Sequence, residues 1–288
     1  MKYYTLTLLI FVFLAACNDS ENNKEIDLSR SDSQKQIASD TAKIYPKAGR
    51  ISYNHVEWRV KSSNYADSPG LCLSDEKNIY KVGDDKLYMN FSDQSGEWSG
   101  SEMVAAENFG RGFFKFTIAL NLKELSRNLA LSLISLNAES GAISGIAQMG
   151  VRFTFNPDEE DVSPLEFFLY STDSKIEEVY YAKSTLKEIS DTVTVVYGMS
   201  GSEIVFACYN GSNTSSGNMI EELRLSEYSQ NNTTMPDDIR YAQPAELQKP
   251  AVNFCLSDSY ASYDEKEMSI IILDFDFIPS DDNLAFAN

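Results

Sequence analysis

The chain has 288 residues, with 24 Lys+Arg against 43 Asp+Glu and a formal net charge of −19 at pH 7. Such a balance repels nucleic acid and anionic surfaces and fits a soluble domain outside the cytoplasm. One histidine and four scattered cysteines argue against a zinc centre.

The N-terminus opens with Met1-Lys2-Tyr3-Tyr4, then an apolar run from Thr5 to Leu14, then Ala15-Ala16-Cys17. That run is too short to cross a bilayer and has the layout of a secretory signal. Small residues ahead of a cysteine suit lipoprotein processing, so residues 1–16 are expected to be removed and Cys17 lipidated. Each buried acyl methylene adds about 0.8 kcal/mol of membrane affinity, so two or three chains make a durable anchor. Removing Lys2 leaves 23 cations against 43 anions, or −20, for the mature protein. Asn18 is not the aspartate that retains many lipoproteins in the inner membrane, which favours the outer membrane.

Residues 17–48 read as a tether. Runs such as Asn18-Asp19-Ser20-Glu21 and Ser29-Arg30-Ser31-Asp32 carry too little apolar surface to fold alone. A flexible segment of this length spans roughly 30 Å. Residues 49–282 form the expected domain, and 283–288 a short tail.

The body is patterned for strands. Phe116, Ile118, Leu120 and Leu122 alternate with Lys115, Thr117, Ala119 and Asn121, and Val151, Phe153 and Phe155 alternate with Arg152 and Thr154. Val193, Val195 and Tyr197 face Ile204, Phe206 and Cys208 across Gly198–Ser202 as a hairpin. Lys266 to Phe277 is another β run, ending at Pro279. Two helical turns are expected, at Leu122–Leu125 and at Met219–Leu223. Strands at regular spacing with Gly, Asn and Asp turns argue for an all-β sandwich or jelly roll. After Cys17 the cysteines are Cys72, Cys208 and Cys255, which allow at most one intramolecular disulfide in three pairings. Cys72-Leu73-Ser74-Asp75 recurs as Cys255-Leu256-Ser257-Asp258, too short an echo to count as a repeat.

Several segments, in order, resemble family-16 glycoside hydrolases, the laminarinase and lichenase group. They are Trp58–Ser62, Gly70–Asp75, Asn78–Tyr80, Lys86–Met89, Gly96-Glu97-Trp98-Ser99-Gly100-Ser101-Glu102 and Phe109-Gly110-Arg111-Gly112-Phe113-Phe114. The last two are similar to the family's G-x-W-x-x-A-E and F-G-Y-G-x-Y stretches. Near the C-terminus, Val252–Leu256 resembles I-N-L-W-L, and Glu267–Ile270 with Phe275–Pro279 resembles E-V-V-I and F-x-F-x-P. The resemblance implies a concanavalin A-like jelly roll of two curved antiparallel sheets.

It also implies a lost activity. Family members carry E-I-D-I-E-F on one strand, where residues two apart share a face. Retaining hydrolysis requires two carboxyl groups about 5–5.5 Å apart. The matching stretch is Gly150-Val151-Arg152-Phe153-Thr154-Phe155, so Gly150, Arg152 and Thr154 stand where the acids belong, and no catalytic residue is assigned. Leu165–Leu169 resembles the next strand and supports the register. Cys255 replaces a tryptophan of the cleft. Trp98, Glu102 and Arg152 are the candidate ligand-binding residues: Trp98 for stacking on a pyranose, Glu102 for sugar hydroxyls. By analogy with the fold, whose terminal strands adjoin, Cys72 and Cys255 are the expected disulfide.

Other chemistry is poorly supported. His55 is the sole candidate for a nucleophile's base, and no G-x-S-x-G elbow exists. Ser74–Lys77 and Ser184–Lys187 both fit S-x-x-K without companion motifs. No cofactor is expected, calcium excepted: Asp158, Glu160 and Asp161 form the densest acidic loop, with Asp274 and Asp276 as further oxygen donors. Two functions follow. One is a non-catalytic envelope lipoprotein with a glycan-binding or structural role, partnered by membrane and polysaccharide but not nucleic acid. The other is an active glycosidase that pairs Glu102 with Glu160 or Glu166.

Overall fold

The structure is a computed structural model that describes residues 43–62, 73–93, 97–120, 129–138, 146–154, 164–171, 177–181, 189–200, 203–226, 233–234, 247–256 and 266–280. In chain order the strands are β1 (Lys43–Ile44), β2 (Arg50–Tyr53), β3 (Val56–Val60), β4 (Ile79–Val82), β5 (Lys86–Asp93), β6 (Trp98–Ser99), β7 (Ser101–Ala105), β8 (Gly112–Ala119) and β9 (Leu129–Asn137). They continue with β10 (Ile146–Thr154), β11 (Leu165–Ser171), β12 (Glu177–Tyr181), β13 (Thr192–Ser200), β14 (Glu203–Asn210), β15 (Met219–Ser226), β16 (Thr233–Thr234), β17 (Gln248–Leu256) and β18 (Met268–Pro279).

These strands build a two-sheet jelly roll. One sheet runs β1-β4-β5-β18-β8-β13-β14-β15-β16, with β6 added beside β5; the other runs β12-β11-β10-β9-β17-β7-β3-β2. Every pairing is antiparallel except the short β15–β16 contact. Neighbours far apart in sequence, such as β18 beside β8 and β17 beside β9, make the pairing non-local and tie the C-terminal strands into both sheets.

Period-2 patterning explains the layers. In β3, Val56, Trp58 and Val60 face inward while Glu57 and Arg59 face out. The core between the sheets is aromatic: Phe116 packs on Phe275 with ring centroids 4.7 Å apart, and Trp58 meets Phe275 edge-on at 5.1 Å. Each such fully buried side chain stabilises the fold by about 1.5–3 kcal/mol. Two polar tips inside the core are bonded. Tyr53 donates its hydroxyl across the sandwich to the Ile272 carbonyl at 2.8 Å, and the Trp58 indole donates to the Tyr53 carbonyl at 3.3 Å.

Several strand expectations hold, with instructive departures. The β run to Pro279 is β18, and the hairpin is β13–β14, with Val195 opposite Cys208 and Tyr197 opposite Phe206. Its strands extend through Ser200 and from Glu203, so the turn is tighter than Gly198–Ser202. The helix expected over Met219–Leu223 is instead β15. Glu222 and Arg224, two apart, share a strand face and join Glu203 of β14 in ion pairs of 2.7 and 3.0 Å. That cross-strand pairing overrides the helical propensity of Glu and Leu. The other expected turn, Leu122–Leu125, lies outside the described residues. β1 lies within the stretch read as tether: Lys43 sits 4.2 Å over the Tyr80 ring, and Tyr45 packs on the same ring. His55 is exposed in the two-residue turn of the β2–β3 hairpin, where Asn54 and His55 both take positive φ.

Candidate functional site: a polar row across one sheet

Strand register lines up one row of side chains on the outer face of the eight-stranded sheet. The Lys61 backbone N–H bonds the Glu102 carbonyl; Glu102 then stands opposite Asn253, Asn253 opposite Ser132, Ser132 opposite Arg152, Arg152 opposite Glu166, and Glu166 opposite Tyr181. This is the face on which the hydrolase resemblance places its acids. The alternate residues Met103, Val252, Leu133, Val151 and Phe167 point the other way and are buried in the core.

Two ion pairs neutralise the row from within. Lys61 Nζ lies 2.6 Å from Glu102 Oε1, and Asn253 donates its side-chain amide to Glu102 Oε2 at 3.3 Å. Arg152 Nη1 lies 2.8 Å from Glu166 Oε2, and the guanidinium also sits 5.7 Å over the Phe168 ring. Glu102 is 3% exposed, Arg152 5% and Glu166 8%, so these charges are withdrawn from solvent. Burial pushes the Glu102 carboxyl above its ordinary range; the Lys61 charge, the Lys61 hydrogen bond and Asn253 oppose that rise without cancelling it.

Gly150 shows how closed this face is. It stands one position along β10 from Val151, opposite Ile134 on β9 and Phe168 on β11. A Cβ there would lie 2.0 Å from the Leu133 carbonyl oxygen and 2.8 Å from Cζ of Phe168. No side chain fits there without shifting backbone. Phe168 itself is fully buried.

The structure unites Glu102 and Arg152 in one row, along with Glu166. Thr154 lies on the same strand face as Arg152, half-buried opposite Ala130. Trp98 does not share the row. It belongs to β6, paired with β5, and its ring stacks on Phe91 at 5.5 Å and 19° while packing against the core. Lys61, Asn253 and Ser132 were missed, because only the register of distant strands places them beside Glu102 and Arg152. The acidic loop with Asp158, Glu160 and Asp161 lies outside the described residues. Asp274 and Asp276 flank Lys115, whose Nζ lies 3.9 and 2.9 Å from them. Burial first, then Asp276, raises the Asp274 carboxyl, against the Lys115 charge. Among the described residues no cluster of three or more metal-binding side chains occurs. Cys255 is disulfide-bonded and Cys208 is a free, buried thiol, while Cys72 lies outside the described residues.

Two packed, almost wholly antiparallel sheets define a jelly roll. Comparison with solved structures gives it a more particular shape, the glycoside hydrolase family 16 fold. A family-16 endo-glucanase from Bacteroides ovatus superposes with TM-score 0.55 at 9% identity, covering 82% of this chain and 99% of that one. A lichenase derived from a mouse hindgut metagenome gives 0.52 at 14%, covering 82% and 95%. A putative β-glucanase from Mycobacterium abscessus gives 0.54 at 14%, covering 80% and 92%. No family model matches the sequence, and no curated protein matches it.

Proposed function

We propose that the protein is a lipid-anchored module of the cell envelope that uses a glucanase-like jelly roll to hold glycan without cutting it. The observation that carries this reading is Gly150: the Leu133 carbonyl and the Phe168 ring fill the space where a nucleophile would have to stand. The next acid position holds Arg152, bound to Glu166. The glucanase titles of the structural neighbours support polysaccharide as the ligand class. The anchor rests on the apolar run before Cys17 and on the tether that follows, and Asn18 favours the outer membrane. The reading requires no cofactor.

Sheet geometry opposes a pair made of Glu102 and Glu166. Glu102 on β7 and Glu166 on β11 are four strand spacings apart, roughly 19 Å. Even inverting hydrolases need their carboxyl groups within about 10 Å. Affinity electrophoresis of the mature, unlipidated chain in gels containing laminarin, lichenan, agar or carrageenan tests the reading. Retardation without loss of polymer is expected on at least one gel. Passage through every gel at the control rate would overturn glycan binding.

A further inference from the structure

The outer face of the eight-stranded sheet has two unlike halves. From β17 to β11 the polar row is buried, as given above. Along β2 and β3 the face is open: Arg50, Ser52, Glu57 and Arg59 are exposed, and Lys61 and, on β7, Val104 are partly so, while Glu102 of β7 is buried. Alternation along β2 and β3 puts Arg50, Glu57, Arg59 and Lys61 on this one face, and Lys249 joins them from β17. In a chain of net charge −19, four cations therefore meet only two carboxylates among the described residues, Glu57 and Glu102. Glu57 pairs with Arg50, and Glu102 with Lys61. Arg59 and Lys249 have no carboxylate partner among the described residues, and Lys249 Nζ reaches only the Ala106 carbonyl at 3.4 Å. Arg50 and Arg59 also stand directly opposite each other, with Glu57 engaging Arg50.

We infer that this open half binds an anionic polysaccharide, one bearing sulfate or carboxylate groups, with Arg59 and Lys249 as its principal contacts. This rests on the glycan-holding reading above and names its ligand class. Arg59 and Lys249 are two strands and two residues apart, roughly 12 Å, the span of a few sugar rings. Between them lie Val104, partly exposed, and the buried Ala251. Charge density decides against nucleic acid: its closely spaced phosphates meet the repulsion of the whole acidic chain, whereas a glycan with one charge per repeat engages the patch alone. Screening over about 8 Å at physiological salt keeps the two effects separate.

The test measures binding of the mature, unlipidated chain to a sulfated galactan, a polyuronate, neutral laminarin and vesicles rich in anionic phospholipid. Wild type is compared with R59A/K249A and with K77A, a control removing an exposed cation elsewhere. The expected result is tighter binding to the charged glycans than to laminarin, weakened about tenfold in R59A/K249A and unchanged in K77A. Binding should also weaken as salt rises from about 50 to about 500 mM. Equal, salt-insensitive binding to laminarin in wild type and double variant would overturn the anionic ligand while leaving glycan binding intact. Vesicle binding alone, lost in R59A/K249A, would replace the glycan with a membrane surface. No binding to any probe would overturn both readings.

Discussion

Placing a single methyl group at Gly150 tests how tightly the outer face of the eight-stranded sheet is shut at β10. In Gly150→Ala the new Cβ would sit 2.0 Å from the Leu133 oxygen and 2.8 Å from Cζ of Phe168. A flexible side-chain tip could yield, but the Leu133 carbonyl is backbone, held by the β9–β10 ladder. Relief must therefore come from shifting one strand against another in the middle of the sheet. Overpacking of a filled interior costs about 1–3 kcal/mol, and a backbone obstacle puts this substitution at the upper end, about 3 kcal/mol. For a domain of this size that lowers Tm by about 6–12 °C. Calorimetry and denaturant unfolding of wild type and G150A measure it. The double variant G150A/F168A should remain well below F168A alone, because it removes the ring but not the carbonyl. A G150A protein melting within about 2 °C of wild type would refute the reasoning, since an acid could then have stood there.

Further outcomes follow from the ion pairs, the thiols and the signal. Removing one partner of the buried Arg152–Glu166 pair, as in R152A or E166A, is expected to cost about 3–5 kcal/mol, while the apolar double R152M/E166L recovers most of it. A double-mutant cycle by urea unfolding measures both, and additive losses would count against the pair. Because burial raises the folded-state pKa of Glu102, the folded protein holds more protons there than the unfolded chain. Stability of wild type relative to E102Q should therefore fall as pH rises through and above the ordinary carboxylate range, then level off. A difference that grows with pH would mean that Lys61 outweighs burial. Cys208 is buried, and burial pushes its thiol pKa far up, so iodoacetamide should label it only after unfolding. Peptide mapping without reduction should join Cys255 to Cys72: Leu73 bonds Gly100, and continuing the β7–β17 register by one residue sets Gly100 beside Cys255. In a bacterial host, Cys17→Ser should move the protein from the membrane to the soluble fraction and abolish palmitate labelling.

The fold was legible because its signals are local. Alternation marked β8, β10, β13, β14 and β18 directly, and the order of short motifs around Trp58, Trp98, Phe109 and Asn253 supplied the jelly roll. The failure at Met219–Leu223 is also local in origin. Ile220, Glu221, Glu222 and Leu223 satisfy helical and strand patterns alike, and only the ladder to β14 decides between them. For the site, the mismatch between Gly150, Arg152 and Thr154 and the acids of the motif they resemble could be read from one strand. Its consequence could not. That Phe168 fills the space above Gly150, that Glu166 answers Arg152 and that Lys61 answers Glu102 all depend on registers between strands distant in sequence. The contrast between a closed half and an open basic half is likewise a property of the sheet, since Arg59 and Lys249 are 190 residues apart in the chain.

Turnover is the most direct test of the central claim, that this glucanase-like face no longer performs hydrolysis. Reducing-end release from laminarin, lichenan, agar and carrageenan should be followed with the purified mature chain and with E102Q and E166Q as matched controls. The account predicts the same background rate for all three proteins on every polymer. Release by wild type that disappears in E102Q or E166Q would contradict it, because one of these carboxylates would then be working as a catalytic acid.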